Sequence, residues 1–327
     1  MSGALLELEN LKVHFPVKGG VLQRASAQNK AVDGVSLSIG HGETLGLVGE
    51  SGCGKSTLGK AVVRLLSPTD GRILFDGRDL THLSRRAMKP IRRDVQMIFQ
   101  DPAESLNSRH TVGGTIGEAF EIHGVGEPDW RRQRVVELLE HVGLPAAAAD
   151  RFPFEFSGGQ RQRIGIARAI ALEPKLIVCD EPVSALDVSI QSQILNLLLD
   201  LQEEMGLSYL FIAHDLAVVK HISDRIAIMY LGHLMEMGGA DEIYRHPRHP
   251  YTRALIAAIP EPDPSRRRRS RMVLSGDVPS PIHPPSGCVF HTRCPEAREQ
   301  CRKEKPALRD LIASDGGEHR IACHFDL

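Results

Sequence analysis

An α/β fold with a parallel sheet is what two observations in this 327-residue sequence predict. The glycine-rich segment GESGCGKS, residues 49–56, stands between a short apolar run and an amphipathic stretch. Three further apolar runs, residues 95–99, 176–179 and 208–213, each deliver a polar residue at their carboxyl end. In parallel α/β sheets ligands sit outside the carboxyl ends of the strands, so residues far apart in sequence can serve one ligand.

Residues 43–48 (ETLGLV) read as a buried strand, and residues 55–66 as a helix with Leu58, Ala61, Val62, Leu65 and Leu66 on one face, stopped by Ser67-Pro68. Between them Gly49, Glu50, Ser51, Gly52, Cys53, Gly54, Lys55 and Ser56 match G-x-x-x-x-G-K-[ST], with Thr57 following. That spacing turns backbone N–H groups around an anion, aims a lysine at the β and γ phosphates and offers a hydroxyl to Mg²⁺. A nucleoside triphosphate is the implied ligand.

The next run, VQMIF, ends in Gln100, which can coordinate the metal or place a water. Residues 101–156 fit a helical subdomain, in which residues 131–144 (RRQRVVELLEHVGL) form an amphipathic helix. Residues 156–170 (FSGGQRQRIGIARAI) begin with Ser157 as N-cap, followed by Gly158, Gly159 and Gln160. Uncovered N–H groups there make a helix start suited to an anion, with Ile164, Ala167 and Ala171 inward. The run LIVC ends in Asp180-Glu181: Asp180 would hold Mg²⁺ through its water shell, and Glu181 would orient and deprotonate an attacking water. Ser184 to Asp187 (SALD) follows, and SYLFIA ends in His214, a hydrogen-bond donor for the γ-phosphate.

With these pieces in this order the chain resembles the ABC-type ATPases, P-loop NTPases that form the nucleotide-binding subunits of ABC transporters. The resemblance implies a mixed-sheet core with a helical signature subdomain. It also implies an ATP- and Mg²⁺-dependent ATPase, with Ser56, Gln100 and Asp180 at the metal and Glu181, His214 and Gln100 in catalysis. Two subunits would sandwich two ATP molecules, with Ser157, Gly158, Gly159, Gln160 and Asp187 of one facing the nucleotide of the other. Phe156 departs from the leucine more usual at its place. An aromatic ring near the N-terminus would stack on adenine; Phe15 is the candidate, with a plain strand residue as the competing reading. Residues 16–30 look like an inserted loop between two strands.

Residues 1–250 carry these motifs, and beyond them the composition turns proline-rich, basic and cysteine-containing. Residues 251–327, with HPRHPYTRALIAAIP and LSGDVPSPIHPPSGCVFHTRCP bridging and filling them, resemble the C-terminal extension of oligopeptide and dipeptide importer ATPases, and GCGKSTLG with the loop after Phe15 resembles the ATPase subunit listed last in their operons. His283 stands where asparagine is more usual. The extension is expected to be small and irregular, with Cys288, Cys294, Cys301 and Cys323 binding a metal centre. No C-x₂₋₄-C knuckle is present, so the spacing favours an iron-sulfur cluster over zinc, with free thiols also open. The subfamily resemblance points to 4Fe-4S. Cys53 and Cys179 read as small buried side chains.

Forty Lys and Arg against 41 Asp and Glu leave a formal charge of -1, which is no nucleic-acid profile. Arg266 to Arg269 and Arg271 read as a solvated linker. No run approaches a membrane span and MSGALLELEN lacks secretion-signal order, so a soluble intracellular protein is expected, which the transporter resemblance puts at the cytoplasmic face of the membrane. The resemblance then implies a second, nonidentical ATPase subunit, two transmembrane permease subunits, and indirectly an extracytoplasmic solute-binding protein. Peptide import is the implied role; nickel, haem or sugar import and a soluble ABC ATPase of translation or DNA repair are the alternatives.

Overall fold

The computed structural model describes residues 3–19, 24–101, 105–259, 276–313 and 316–326. The arginine run 266–269 and Arg271 lie outside them, as do residues 102–104 of the segment after Gln100. The chain divides into two compact units, one built from residues 4–38, 44–81 and 213–327, the other from residues 1–3, 39–43 and 82–212.

The first unit starts with β1 (Leu6–Gly19), β2 (Arg24–Ile39), β4 (Asp70–Phe75) and β5 (Arg78–Asp79), ordered β2-β1-β4-β5. Leu6, Leu8, Leu11, Val13, Ile73 and Phe75 line its buried face, alternating with polar residues as a half-buried sheet requires. The loop expected over residues 16–30 is instead mostly strand, because β1 and β2 continue almost to each other. Alternation in this stretch is broken by glycine and alanine, which hid the pairing from the sequence.

A second sheet in this unit runs β11 (Arg309–Ile312), β12 (Glu318–Ile321), β10 (His233–Gly239), β9 (Arg225–Tyr230), β3 (Thr44–Val48). It is mixed: β3 is parallel to β9, whereas β10 and the two strands beyond it are antiparallel. Helices α1 (Lys55–Val62), α7 (Leu216–Ile222), α8 (Ala240–Arg245), α9 (Pro250–Ala257) and α10 (Glu299–Lys303) belong to the same unit. Helix α1 stops at Val62, four residues short of the expected end, since Arg64 adopts a left-handed φ of 56°. Leu65 is therefore 53% exposed while Leu58, Ala61 and Val62 are buried.

The C-terminal extension is not irregular throughout. Strand β12 pairs with β10 through Glu236↔Ile321 and Gly238↔His319, adding two strands to the sheet. Beneath this junction lies a buried acid: Glu236, 0% exposed, receives His319 Nε2 at 2.8 Å and the backbone N–H groups of Arg248 and His249 at 2.6 and 3.1 Å. A buried carboxylate needs this many partners, and they come from both sides of the chain's second half. Burial lowers the pKa of His249 to about 4, so its Nδ1 stays an acceptor for the Tyr251 N–H at 3.1 Å and caps α9.

The second unit holds the parallel strands β6 (Val95–Ile98), β7 (Leu176–Asp180) and β8 (Ser208–Ala213), with β7 in the middle. Strands β7 and β8 are buried along their whole length, hence their continuous apolar sequence. Around them are α2 (Arg85–Met88), α3 (Val112–His123), α4 (Pro128–His141), α5 (Gly158–Ile170) and α6 (Val188–Met205). In α4 the residues turned inward are Val135, Leu138 and Leu139, the 3.6-residue stripe expected there.

Candidate functional site

The phosphate-binding segment leaves β3 at Val48 and enters α1 at Lys55. Two glycines are fixed by close approach: a Cβ on Gly49 would meet Met229 O at 2.1 Å, and one on Gly54, at φ 107°, would meet Ala31 O at 2.0 Å. Any side chain there would push the loop off β9 and β2. The loop closes on itself through Cys53 N–H to Glu50 O at 3.2 Å and is anchored where Gly232 N–H donates to Cys53 O at 2.9 Å. Lys55 is 4% exposed, and its Nζ donates to Gly49 O at 2.7 Å and Glu50 O at 3.2 Å. A lysine held across the loop mouth by carbonyls is poised to exchange them for phosphate oxygens. Ser56 and Thr57 are half-buried on the first turn of α1, and burial raises the Cys53 thiol pKa. Phe15 lies on β1, 36% exposed. His214 is exposed just past β8, followed by Asp215, whose Oδ1 accepts from Ala217 N–H at 2.8 Å and caps α7.

In the second unit the carboxyl ends of β6 and β7 bring two of the expected residues together. Gln100 Nε2 donates to Glu181 Oε2 at 3.0 Å. Asp180, at the end of β7, is 3% exposed. Glu181 takes φ 47°, a left-handed conformation unusual for a side chain of this size, and its N–H donates to Ile212 O at 2.9 Å. Its own carbonyl accepts from the Ser184 hydroxyl at 3.1 Å. Strain of this kind costs about 1–3 kcal/mol and collects at functional sites, where surrounding bonds hold it.

The helix start at Ser157 is built as its sequence implies. Ser157 Oγ accepts from Gln160 N–H at 3.4 Å while Gln160 Oε1 accepts from Ser157 N–H at 3.0 Å, a reciprocal capping box. Ser157, Gly158 and Gln160 are exposed, and Gly159 is buried where a Cβ would meet Ile190 Cγ2 at 2.6 Å. Ile190 follows Asp187, the exposed N-cap residue of α6, so the two motifs are packed as neighbours. Arg168, further along α5, donates to Ser105 O at 2.7 Å and ties this helix to the segment after Gln100.

Sequence reading missed two residues at the phosphate loop. Arg293 reaches the Glu50 carboxylate with both guanidinium ends, at 2.6 and 3.1 Å, and the Tyr251 hydroxyl accepts from Glu50 N–H at 2.9 Å. Neither TRC nor PYT carries a local signal for such a contact; only their place in the fold supplies it.

The four cysteines of the extension line one small, nearly apolar cavity together with Phe290 and His291. Burial pushes the Cys288 and Cys294 thiols up to about 11, so they are protonated at neutral pH. Among the described residues, however, no three His, Cys, Asp or Glu side chains are grouped to hold a metal ion. The expected metal-binding extension therefore lacks a preformed ion site. A tetrahedral zinc, with Zn–S near 2.3 Å, would need its sulfurs within about 4 Å of one another.

No helix among the described residues is long and apolar enough to cross a membrane. Residues 32–184 match the ABC transporter family, and residues 235–301 match the oligopeptide/dipeptide transporter C-terminal region. The chain is 53% identical over 326 residues to the oligopeptide transport ATP-binding protein AppF of Bacillus subtilis, covering 98% of this chain and 97% of the relative. It is likewise 53% identical to OppF of Salmonella typhimurium, covering 98% and 95%. Among solved structures it resembles the dimeric ATP-binding cassette MJ0796 in a post-hydrolysis state with ADP and Pi. The identity there is 30% and the TM-score 0.64, over 72% of this chain and 98% of that one. With both regions matched and near-complete coverage, the chain belongs to the ABC transporter family of ATP-binding proteins, in its oligopeptide/dipeptide branch.

Proposed function

We propose that this chain binds and hydrolyses ATP to energise a membrane importer of oligopeptides. The observation that carries the reading is the 53% identity to AppF and OppF running through the C-terminal region, which the general cassette lacks. Residues 49–57 cradle the triphosphate, and Ser56, Gln100 and Asp180 hold Mg²⁺. Glu181 is the base for the attacking water, Gln100 holds its carboxylate in place, and His214 donates to the γ-phosphate. Phe15 stacks on adenine. Ser157 to Gln160 and Asp187 face the nucleotide of a second ATPase subunit, so closure of the pair follows ATP binding. Two permease subunits hold the pair at the cytoplasmic face of the membrane and convert closure into transport; residues 1–250 form the ATPase domain and 251–327 its extension. A strain lacking this gene should lose growth on defined oligopeptides that supply a required amino acid and regain it with the wild-type gene. Unchanged growth and uptake of labelled peptide would reject the peptide reading and leave the other solutes.

The resemblance of the extension to peptide-importer ATPases and the four cysteines Cys288, Cys294, Cys301 and Cys323 lining one cavity are what a four-iron cluster reading rests on. These four residues would hold it, and when bound it would cross-link the turn carrying Cys288 and Cys294, helix α10 with Cys301, and the segment after β12 with Cys323. The neutral thiols would lose protons on ligation. Anaerobically purified protein should be brown, with about four irons and four sulfides per chain. Colourless protein, with zinc or no metal, would overturn the cluster and leave the ATPase reading intact.

A further inference from the structure

Glu50, the second residue of the phosphate loop, places a carboxylate beside a site read as binding a multiply charged anion. Left unpaired, that charge would oppose the ligand. Arg293 pairs with it through two parallel bonds, with the guanidinium side chain 7% exposed and the carboxylate 25%. The bidentate fork fixes the direction of the carboxylate as well as its charge. Glu50 is fixed at its backbone too, through Tyr251, and its carbonyl is one of the two carbonyl acceptors of Lys55. Whatever holds Glu50 therefore also holds the lysine that faces the phosphates.

The brace is itself rigid. Tyr230, Tyr251 and Phe290 are fully buried and meet edge-on or tilted, at centroid distances of 4.9 Å for the tyrosines and 5.2 Å from each to Phe290. Arg293 hangs from this cluster on a tight turn, its N–H donating to Phe290 O at 3.0 Å. The turn is pinned in turn by Cys288 N–H to Cys301 O at 2.8 Å.

We propose that Arg293 is a positioning residue for the phosphate loop: its pair with Glu50 neutralises and orients the loop mouth, making nucleotide affinity depend on a residue of the C-terminal extension. The proposal rests on the reading of residues 49–57 as the ATP site. It is tested by titrating the full-length chain with a fluorescent ATP analogue and Mg²⁺, then competing with ATP and ADP, alongside thermal melts. Arg293→Ala should weaken ATP about tenfold or more, since it strands a carboxylate at the site, and should weaken ADP less because ADP carries less charge. Arg293→Lys should fall between, lacking the fork. Removing the stranded charge as well, in Arg293→Ala with Glu50→Gln, should return ATP affinity to within about threefold of wild type. That recovery separates positioning from misfolding, because the double variant lacks the guanidinium too. Affinity of Arg293→Ala within about twofold of wild type, or a double variant no better than the single, overturns the proposal. Lys55→Ala serves as the reference: if it loses nucleotide while Arg293→Ala does not, the inference alone fails, and if it too binds normally the ATP site itself is misassigned.

Discussion

Glu181→Gln is expected to keep ATP binding and slow hydrolysis by roughly 10²-fold or more, the usual worth of a general base. The substitution keeps the size of the side chain, and an amide can still pair with the Gln100 carboxamide that now donates to Glu181 at 3.0 Å. It also leaves the left-handed turn at φ 47° and its backbone bond to Ile212 unchanged. What is lost is the group that takes the proton from water. The measurement is steady-state phosphate release by the assembled transporter beside equilibrium nucleotide binding. Turnover near wild type would remove Glu181 from the chemistry.

Gly158→Asp should abolish ATP-driven closure of the ATPase pair while leaving nucleotide binding by the single subunit within about twofold. The position is chosen for its surroundings: an added Cβ meets nothing nearer than Leu186 Cδ2 at 3.5 Å, an ordinary contact. An acidic residue in the first turn of α5 even suits the helix dipole, so the isolated fold tolerates it. Gly159 would be a poor choice, because Ile190 stands 2.6 Å from its Cβ and the variant would disturb packing. If the helix start faces the γ-phosphate of the partner, two like charges about 4 Å apart at an effective dielectric constant of about 20 cost about 4 kcal/mol. That is about 10³-fold in the closure equilibrium. Light scattering of the subunit pair with ATP, in the Glu181→Gln background, reads the effect. Closure as ready as in the parent would mean that residues 157–160 face no nucleotide.

The residues these two tests address were legible because their chemistry is written in short-range spacing. A serine three residues before a glutamine makes a capping box wherever a helix begins, and Ser157 and Gln160 form one here. Gly49 and Gly54 stand where no Cβ fits, and the apolar runs ending in Asp180 and Gln100 became buried parallel strands. Local rules were weaker at the margins. The helix after the phosphate loop ended at Val62 because Arg64 turned left-handed, which no preference of arginine announces.

The sequence by itself determined the phosphate loop, the capped helix start and the apolar strands that lead to Gln100, Asp180 and Glu181, since each depends on neighbours within a few residues. Tertiary structure alone decided that the extension adds β11 and β12 to the sheet and gathers four cysteines around one cavity. It also decided that Arg293 holds Glu50, 243 residues away. An ion pair at that separation has no periodicity and no spacing to read. Its cost in loop closure and side-chain entropy is offset by the packing of Tyr230, Tyr251 and Phe290 beside it.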